Sequence, residues 1–287
     1  MKMNGRTRLF MIVSFTHLFF LVIVLVKFKK KAIALLLSTL GFTYLFEYGV
    51  LNLLRMYRYK PKIFRNPWVD NVFGAFLSQA YFVPIKAVFI TLFQYGWKMK
   101  IALALLLAAI EETFVKKGAF VKRTWKTPFT FFGVLFYFWF VDQWWRGFRS
   151  SKKKIIMIIS LYLSNVVQYA NVLFFLFSFT KAIRFRFPYR TSRSDTRDQF
   201  IVAPLYALLA SVFSTAIILR SKRSNKIIGI GLLAIIDQIL IRLGLLKLYK
   251  QQPLILLAIH VLTLLIGGYK HSLFLNVQKE LKNEEIG

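Results

Sequence analysis

The chain has 287 residues, of which 57% are apolar, 31 are Phe and only 18% are charged, against roughly 25% charged in a soluble domain. A soluble fold could not hide that much apolar side chain, because even a large domain leaves much of its surface in water. The 41 Lys and Arg against 11 Asp and Glu give a formal charge of +30, and zero cysteines exclude disulfides and thiolate metal sites.

Taken in chain order, the apolar runs predict nine membrane-spanning helices, at residues 9–28, 32–54, 69–97, 101–120, 129–145, 155–179, 200–219, 227–246 and 253–268. A run of about 20 residues, rising about 1.5 Å each, crosses a hydrocarbon core about 30 Å thick. The first run follows a short basic start but lacks a small-residue cleavage site, so it reads as a retained helix. The third is long and carries Pro84; the fifth and ninth are short. A helix pairs its own amides in lipid. A β-barrel would need alternating polarity, which stretches such as "IIMIISLYLS" lack. The expected fold class is therefore all-α, a polytopic transmembrane helical bundle.

Most Lys and Arg stand at the ends of the apolar runs. That placement points to anionic lipid headgroups as partners, rather than to nucleic acid. The basic residues nearly balance on the two sides, so the positive-inside rule barely discriminates. The link 180–199, with Lys181, Arg184, Arg186, Arg190, Arg193 and Arg197, is read as a cytoplasmic loop. The amino terminus is then cytoplasmic too, and the polar tail lies outside.

Two stretches look like copies. "IALALLLAAIEETFVKKGAF" from Ile101 parallels "IIGIGLLAIIDQILIRLGLL" from Ile227, with Glu111 facing Asp237 and Gly118 facing Gly244. Upstream, "LLLS" ending at Ser38 echoes "LYLS" ending at Ser164. "QAYFVP" ending at Pro84 echoes "QFIVAP" ending at Pro204, at an offset six residues shorter. The pairing matches the fourth span with the eighth, which predicts a parallel internal repeat of four spans. The domain reading is 1–126 for the first repeat, 127–250 for the second, and 251–287 for the ninth span and a polar tail.

Glu47, Lys86, Glu111 and Asp237 fall at membrane depth, where a charge is costly and faces a partner or a water-filled cavity. Two readings stand. The four could form an ion or solute pathway, with Pro84 and Pro204 bending their helices and freeing carbonyls. They could equally form buried pairs that fix helix packing. Asn165, Gln168 and Asn171 recur every three residues along one face, which suits interhelical hydrogen bonds or a polar lining. His17 and His260 are read as packing residues, because no metal-ligand spacing is present. Trp68, Trp97, Trp125, Trp144 and Trp145 fit interfacial belts. Asp142, beside "WWRG", is the one interfacial group that could suggest chemistry on lipid. No nucleotide-binding loop or nucleophile motif appears, so no cofactor is expected.

The stretch 32–145 resembles a group of uncharacterised polytopic membrane proteins of endospore-forming Firmicutes. The resemblance rests on Glu47 in "FEYGVL", "YRYKP" ending at Pro61, "WVDNVFGAFLSQAYFVP" ending at Pro84, and "IEETFVKKGAF" ending at Phe120. It implies a bacterial cell-membrane location and carries no activity. The function expected from the sequence is a non-enzymatic structural or signalling component of the envelope, partnered with other membrane proteins. The alternative is a secondary transporter that carries a small ion or solute on its midplane carboxylates.

Overall fold

The computed structural model describes residues 4–150, 152–187, 195–220, 223–249 and 253–284. The chain divides into two compact units, Met1–Ile156 with Glu280–Gly287, and Met157–Lys279. Both are built mainly of helices.

In the first unit, helix α1 (Gly5–Glu47) starts at Asn4, whose side chain accepts the Arg6 N–H and satisfies one of the free donors of a helix start. The helix is broken at Lys29, where φ is 46° and ψ is −118°. Phe10 packs against Tyr59, while Glu47 bonds to Tyr57, two residues away on the same strand. In one straight helix Phe10 and Glu47 would stand about 55 Å apart. The chain therefore doubles back at Lys29, among Lys27, Lys30 and Lys31, and the arms 5–28 and 30–47 form a helical hairpin. Charge is cheapest at the bilayer surface, which places the turn where the lysines cluster.

A π-helical turn, Tyr48–Leu53, ends the second arm and leads into strand β1 (Tyr57–Tyr59). Helix α2 (Pro67–Phe76) opens with Asn66 as cap and Pro67 at its first turn, the position where a missing N–H costs nothing. Asp70 in that turn is buried and accepts the N–H groups of Lys62, Ile63 and Phe64 at 3.0, 2.7 and 3.0 Å. A second π turn, Leu77–Phe82, joins α2 to helix α3 (Val83–Leu92), with Pro84 in the first turn of α3. Helix α4 (Trp97–Lys116) is followed by strand β2 (Phe120–Lys122) and helix α5 (Thr127–Gly147). The core of this unit gathers Phe10, Leu51, Tyr57, Tyr59, Phe82, Phe114 and Phe120.

The second unit contains α6 (Lys153–Phe179), β3 (Ile183–Phe185), α7 (Asp195–Leu219), α8 (Arg223–Arg242), β4 (Leu246–Leu248) and α9 (Pro253–Asn283). Its core gathers Tyr169, Leu173, Ile183, Phe185, Tyr206, Ala207, Leu233 and Leu246.

The backbone of the first unit recurs in the second 126 positions later. Strands β1 and β2 pair antiparallel with Tyr57 opposite Lys122 and Tyr59 opposite Phe120; β3 and β4 do so with Ile183 opposite Leu248 and Phe185 opposite Leu246. Helix α4 ends with Gly118 at φ 65°, and α8 with Gly244 at φ 71°. The closing bonds match: Gly118 N–H to Val115 O and Ala119 N–H to Phe114 O, then Gly244 N–H to Ile241 O and Leu245 N–H to Leu240 O. These form a Schellman cap, which needs a left-handed residue and so favours glycine. Lys60 N–H to Ala119 O is matched by Arg186 N–H to Leu245 O. Arg55 and Lys181, also 126 apart, share φ 53°. Ser38 bonds back to Leu35 O as Ser164 does to Leu161 O.

Both units add a two-stranded antiparallel ribbon to a mostly helical fold, consistent with the expected helical bundle. Several other expectations change. The stretch 180–199 is not one long loop, because it holds β3 and the first turn of α7; Arg190 and Arg193 lie outside the described residues. The polar tail is not separate from the ninth span: α9 runs on to Asn283, burying Phe274, Val277 and Leu281 on one face. The match of Gln79 with Gln199 fails as well. Asn71 Oδ1 accepts the Tyr59 N–H, and Gln199 Oε1 accepts the Phe185 N–H, both at 2.7 Å. Gln199 is thus the counterpart of Asn71, and Asp198, whose carboxylate faces the Phe187 N–H, that of Asp70. By this register Tyr206 stands opposite Ser78, not Lys86.

Among the described residues, five helical stretches are long and apolar enough to cross a membrane: Gly5–Leu53, Pro67–Leu92, Lys153–Phe179, Thr196–Leu219 and Leu254–Asn283. Large apolar side chains also lie bare, including Phe19, Val26, Phe132, Leu254 and Leu265, each more than 60% exposed. A water-soluble monomer rarely exposes that much contiguous apolar surface. The architecture is that of a multi-span helical protein, consistent with integral membrane residence.

Candidate functional site

The first unit forms a half-open cavity of about 470 Å³ between α1, β1, the second π turn, α4 and α5. That volume falls within the range of small-molecule sites. Its walls are mostly rings, including Phe42, Phe46, Tyr57, Tyr59, Phe82, Trp125, Phe129 and Tyr137. The polar lining comes from Thr43, Ser78, Gln79, Glu111 and Thr130; no Lys, Arg or His is among the described lining residues.

The π turn beside this cavity follows from its sequence. Val83 N–H bonds to Ser78 O, five residues back, and Pro84 has no N–H to offer. The Gln79 carbonyl is thereby released from the helix ladder and accepts the Thr43 hydroxyl at 2.7 Å. Single π turns of this kind occur often at functional sites, where a helix needs an extra residue to aim a group. Both π turns among the described residues border this region, since the other follows Glu47 directly.

Glu47 is buried and accepts the Tyr57 hydroxyl at 2.6 Å. Its other oxygen, Oε1, has no hydrogen bond among the described residues, with Gln79 as a polar neighbour. Burial, reinforced by Glu47, holds the Tyr57 phenol well above its ordinary pKa, so it remains an O–H donor. Glu111 is surrounded by donors: Trp125 Nε1 at 3.3 Å, Thr127 at 3.2 Å, the Thr130 hydroxyl, and Lys122 Nζ at 3.2 Å. Lys122 also pairs with Glu112, so one ammonium serves two carboxylates. The half-buried Trp125, read in the sequence as a belt residue, thus turns its N–H toward the Glu111 carboxylate.

The other candidates sit elsewhere. Lys86 is buried, and among the described residues no carboxylate lies within ion-pair distance of it; its charged or titratable neighbour is His17. His17 bonds through Nδ1 to Val13 O and packs on Phe82. Asp142 is taken up by Lys100 and Thr91. Helix α7 runs unbroken through Pro204. Asn165 donates to Thr215 and Gln168 to Thr263, while Lys270 donates to Gln168 Oε1 at 2.9 Å; these side chains tie α6, α7 and α9 together. Asn171 also has a partner.

Asp237 lies in the second unit, inside a packed network. Tyr206 O–H donates to Oδ1 at 2.7 Å, and His260 Nε2 meets Oδ2 at 2.8 Å. Tyr169 O–H joins His260 Nδ1 and Ser214 Oγ, both at 2.9 Å. Carboxylate, imidazole and hydroxyl in series can activate a nucleophile. Here Tyr169, Ser214 and His260 have no exposed surface and Asp237 has 4%, so the network is packed inside the unit.

None of Tyr57, Tyr59 and Trp125 is a site candidate in the sequence, where Trp125 reads as a belt residue and the tyrosines appear only within "YRYKP". The signal that could have found them is the aromatic alternation "YRY" followed by "FVK" at the same register as "IRF" and "LKL". Among the described residues, no group of His, Asp and Glu could hold a metal ion. Compared with family models, with curated proteins and with solved structures, the chain matches none.

Proposed function

We propose that the chain is a non-enzymatic ligand-binding protein of a bacterial cell membrane, acting as a sensing or signalling component of the envelope, and that its site is the aromatic cavity of the first unit. The observation that carries this reading is the cavity itself: a half-open, ring-lined space whose volume falls in the range of small-molecule sites, with a few polar groups in its wall. Two π turns, a carboxylate-bearing wall and the released Gln79 carbonyl support a site built for an occupant.

Nine crossings fit the helices: the two arms of α1, the α2–α3 stretch, and α4 to α9. The 126-residue recurrence supports a duplicated four-helix arrangement preceded by the first arm of α1. That period is common to a division at 126/127 and to one that follows the compact units. A cytoplasmic amino terminus, anionic lipids around the basic ends and neighbouring membrane proteins complete the proposal. The resemblance over 32–145 supports placing it in endospore-forming Firmicutes.

The test is cavity filling. A Cβ at Gly133 would meet nothing within 4 Å, and Gly133 lines the cavity. Gly133→Phe is expected to fold with an unchanged or raised thermal midpoint in detergent. Saturating propylbenzene is expected to raise the midpoint of the parent protein by several degrees and to leave Gly133→Phe unmoved. Equal shifts in both proteins, or none in either, would sink the reading. A carrier is the second reading, favoured by the π turns, which let helices bordering the site shift register; it predicts flux of the bound compound across proteoliposomes.

A further inference from the structure

By the 126-residue register, Thr43 and Val134 of the first unit stand opposite Tyr169 and His260 of the second. By the Asn71–Gln199 register, Ser78 stands opposite Tyr206. Contacts agree with this assignment: Ser78 bonds to the Tyr59 side chain, and Tyr206 packs on Phe185 at 5.0 Å, Tyr59 and Phe185 being the matched strand residues. Glu111 stands opposite Asp237.

In the second unit, then, three large polar rings occupy the space that three small side chains leave open in the first. Two of those rings, Tyr206 and His260, satisfy Asp237. The second unit carries its own occupant, made of two phenols and an imidazole, with a ring nitrogen and a hydroxyl turned to the acid. The wall left open in the first unit has the same acid position, Glu111 beside Lys122, with Glu112 paired to Lys122 and near Lys116, and rings able to face a cation. No described basic side chain lines it, in a chain with 41 Lys and Arg.

We infer that the ligand of the first unit is a small organic amine: an apolar, ring-sized body with a protonated nitrogen that sits where the second unit places His260 and Tyr206. This inference rests on the cavity reading above and adds the charge of the ligand to it. The nitrogen would face Glu111 and the aromatic wall, while the body would fill the space beside Phe42, Phe82 and Gly133.

The experiment compares 2-phenylethylammonium with its uncharged isostere, propylbenzene, in the detergent-solubilised full chain. Binding is read as the part of the Trp fluorescence change that Trp125→Phe abolishes. The amine is expected to bind at least about tenfold more tightly, the scale of one partly desolvated cation–aromatic and carboxylate contact. Glu111→Gln is expected to erase that preference while propylbenzene still binds. A second variant, with Ser78→Tyr and Val134→His together, is expected to exclude both compounds without lowering the thermal midpoint. Equal affinity for the two compounds, or a preference for propylbenzene, overturns the amine while leaving the cavity reading intact. A preference that survives Glu111→Gln also overturns it. Failure of both compounds to bind overturns the cavity reading and the amine with it.

Discussion

Replacing Asp70 by Ala is expected to destabilise the protein by about 2 kcal/mol, because three part-buried N–H groups lose their acceptor together, an unmet buried group costs about 1–3 kcal/mol, and water takes up part of the loss at the exposed Lys62 and Ile63. The carboxylate gathers the loop that carries the chain from β1 into α2, through Lys62, Ile63 and Phe64. Oδ1 serves two of these groups and Oδ2 the third, so Asp70→Asn, which keeps one acceptor oxygen, is expected to cost about half as much. Unfolding in mixed micelles of increasing SDS content reads both losses. A loss below about 1 kcal/mol for Ala would mean that the loop is held by something else. Since β1 supplies two rings of the cavity, Asp70→Ala should also weaken ligand binding beyond its effect on stability.

The second large effect is at Asp237. Its removal as Ala leaves the Tyr206 hydroxyl and a His260 nitrogen buried without an acceptor, and breaking a buried polar pair from one side costs about 3–5 kcal/mol. The simultaneous replacement of Asp237, Tyr206 and His260 by Leu, Phe and Phe removes acceptor and donors together and is expected to recover most of that loss, because apolar groups of similar shape leave nothing unmet. The same unfolding assay separates the two roles that an intramembrane Asp can have. If Asp237 belonged to an ion pathway, the apolar replacement would fold well and abolish transport. If it fixes packing, ligand binding in the first unit is unchanged. Asp237→Ala without measurable destabilisation would contradict the packing role.

Much of this was legible in the sequence, for identifiable reasons. Continuous apolar runs separated by Lys and Arg specify membrane helices through burial and solvation alone, and the two arms of α1 emerge where two separate runs were expected. The recurrence of Gly118 and Gly244 was visible because a left-handed cap tolerates few residues, so the glycine marks a backbone shape. The echo of Ser38 and Ser164 was visible for a similar reason, as both bond back into their own helix turn. Gln79 and Gln199 misled because residue identity was matched where the physical role lies in capping a strand N–H. Asn71 performs that role with a side chain one carbon shorter, and matching the prolines instead puts the pairing eight positions out of register. The strand pairs were missed because three-residue strands fall below any periodicity signal.

The site was less legible than the fold. Glu47 and Glu111 were singled out by the cost of charge in lipid; Glu111 lines the cavity, and Glu47 bonds to Tyr57 of its wall. Asp237 was grouped with them on the same principle, yet it lies in the other unit among its own partners. Intramembrane position alone distinguishes a charged group from lipid, not a binding wall from a packed network. That distinction depends on whether the neighbours are Thr43, Ser78 and Val134 or Tyr169, Tyr206 and His260. These residues sit far apart in sequence and become comparable only once the register is known. Trp125 shows the same limit, since a Trp near a helix end reads as a lipid anchor until a carboxylate is seen beside it.

The most direct test of the cavity uses the absence of cysteine from the chain. Thr43 and Ser211 are both buried, at 5% and 0% exposure, but only Thr43 lines the cavity. Single Thr43→Cys and Ser211→Cys variants would be reacted in membranes with N-ethylmaleimide, which is small and uncharged. The account predicts that Thr43→Cys reacts at least about tenfold faster, as expected when accessibility and not thiol chemistry sets the rate, and that 2-phenylethylammonium protects it. Equal, slow reaction at both positions would contradict a ligand-accessible cavity in the first unit.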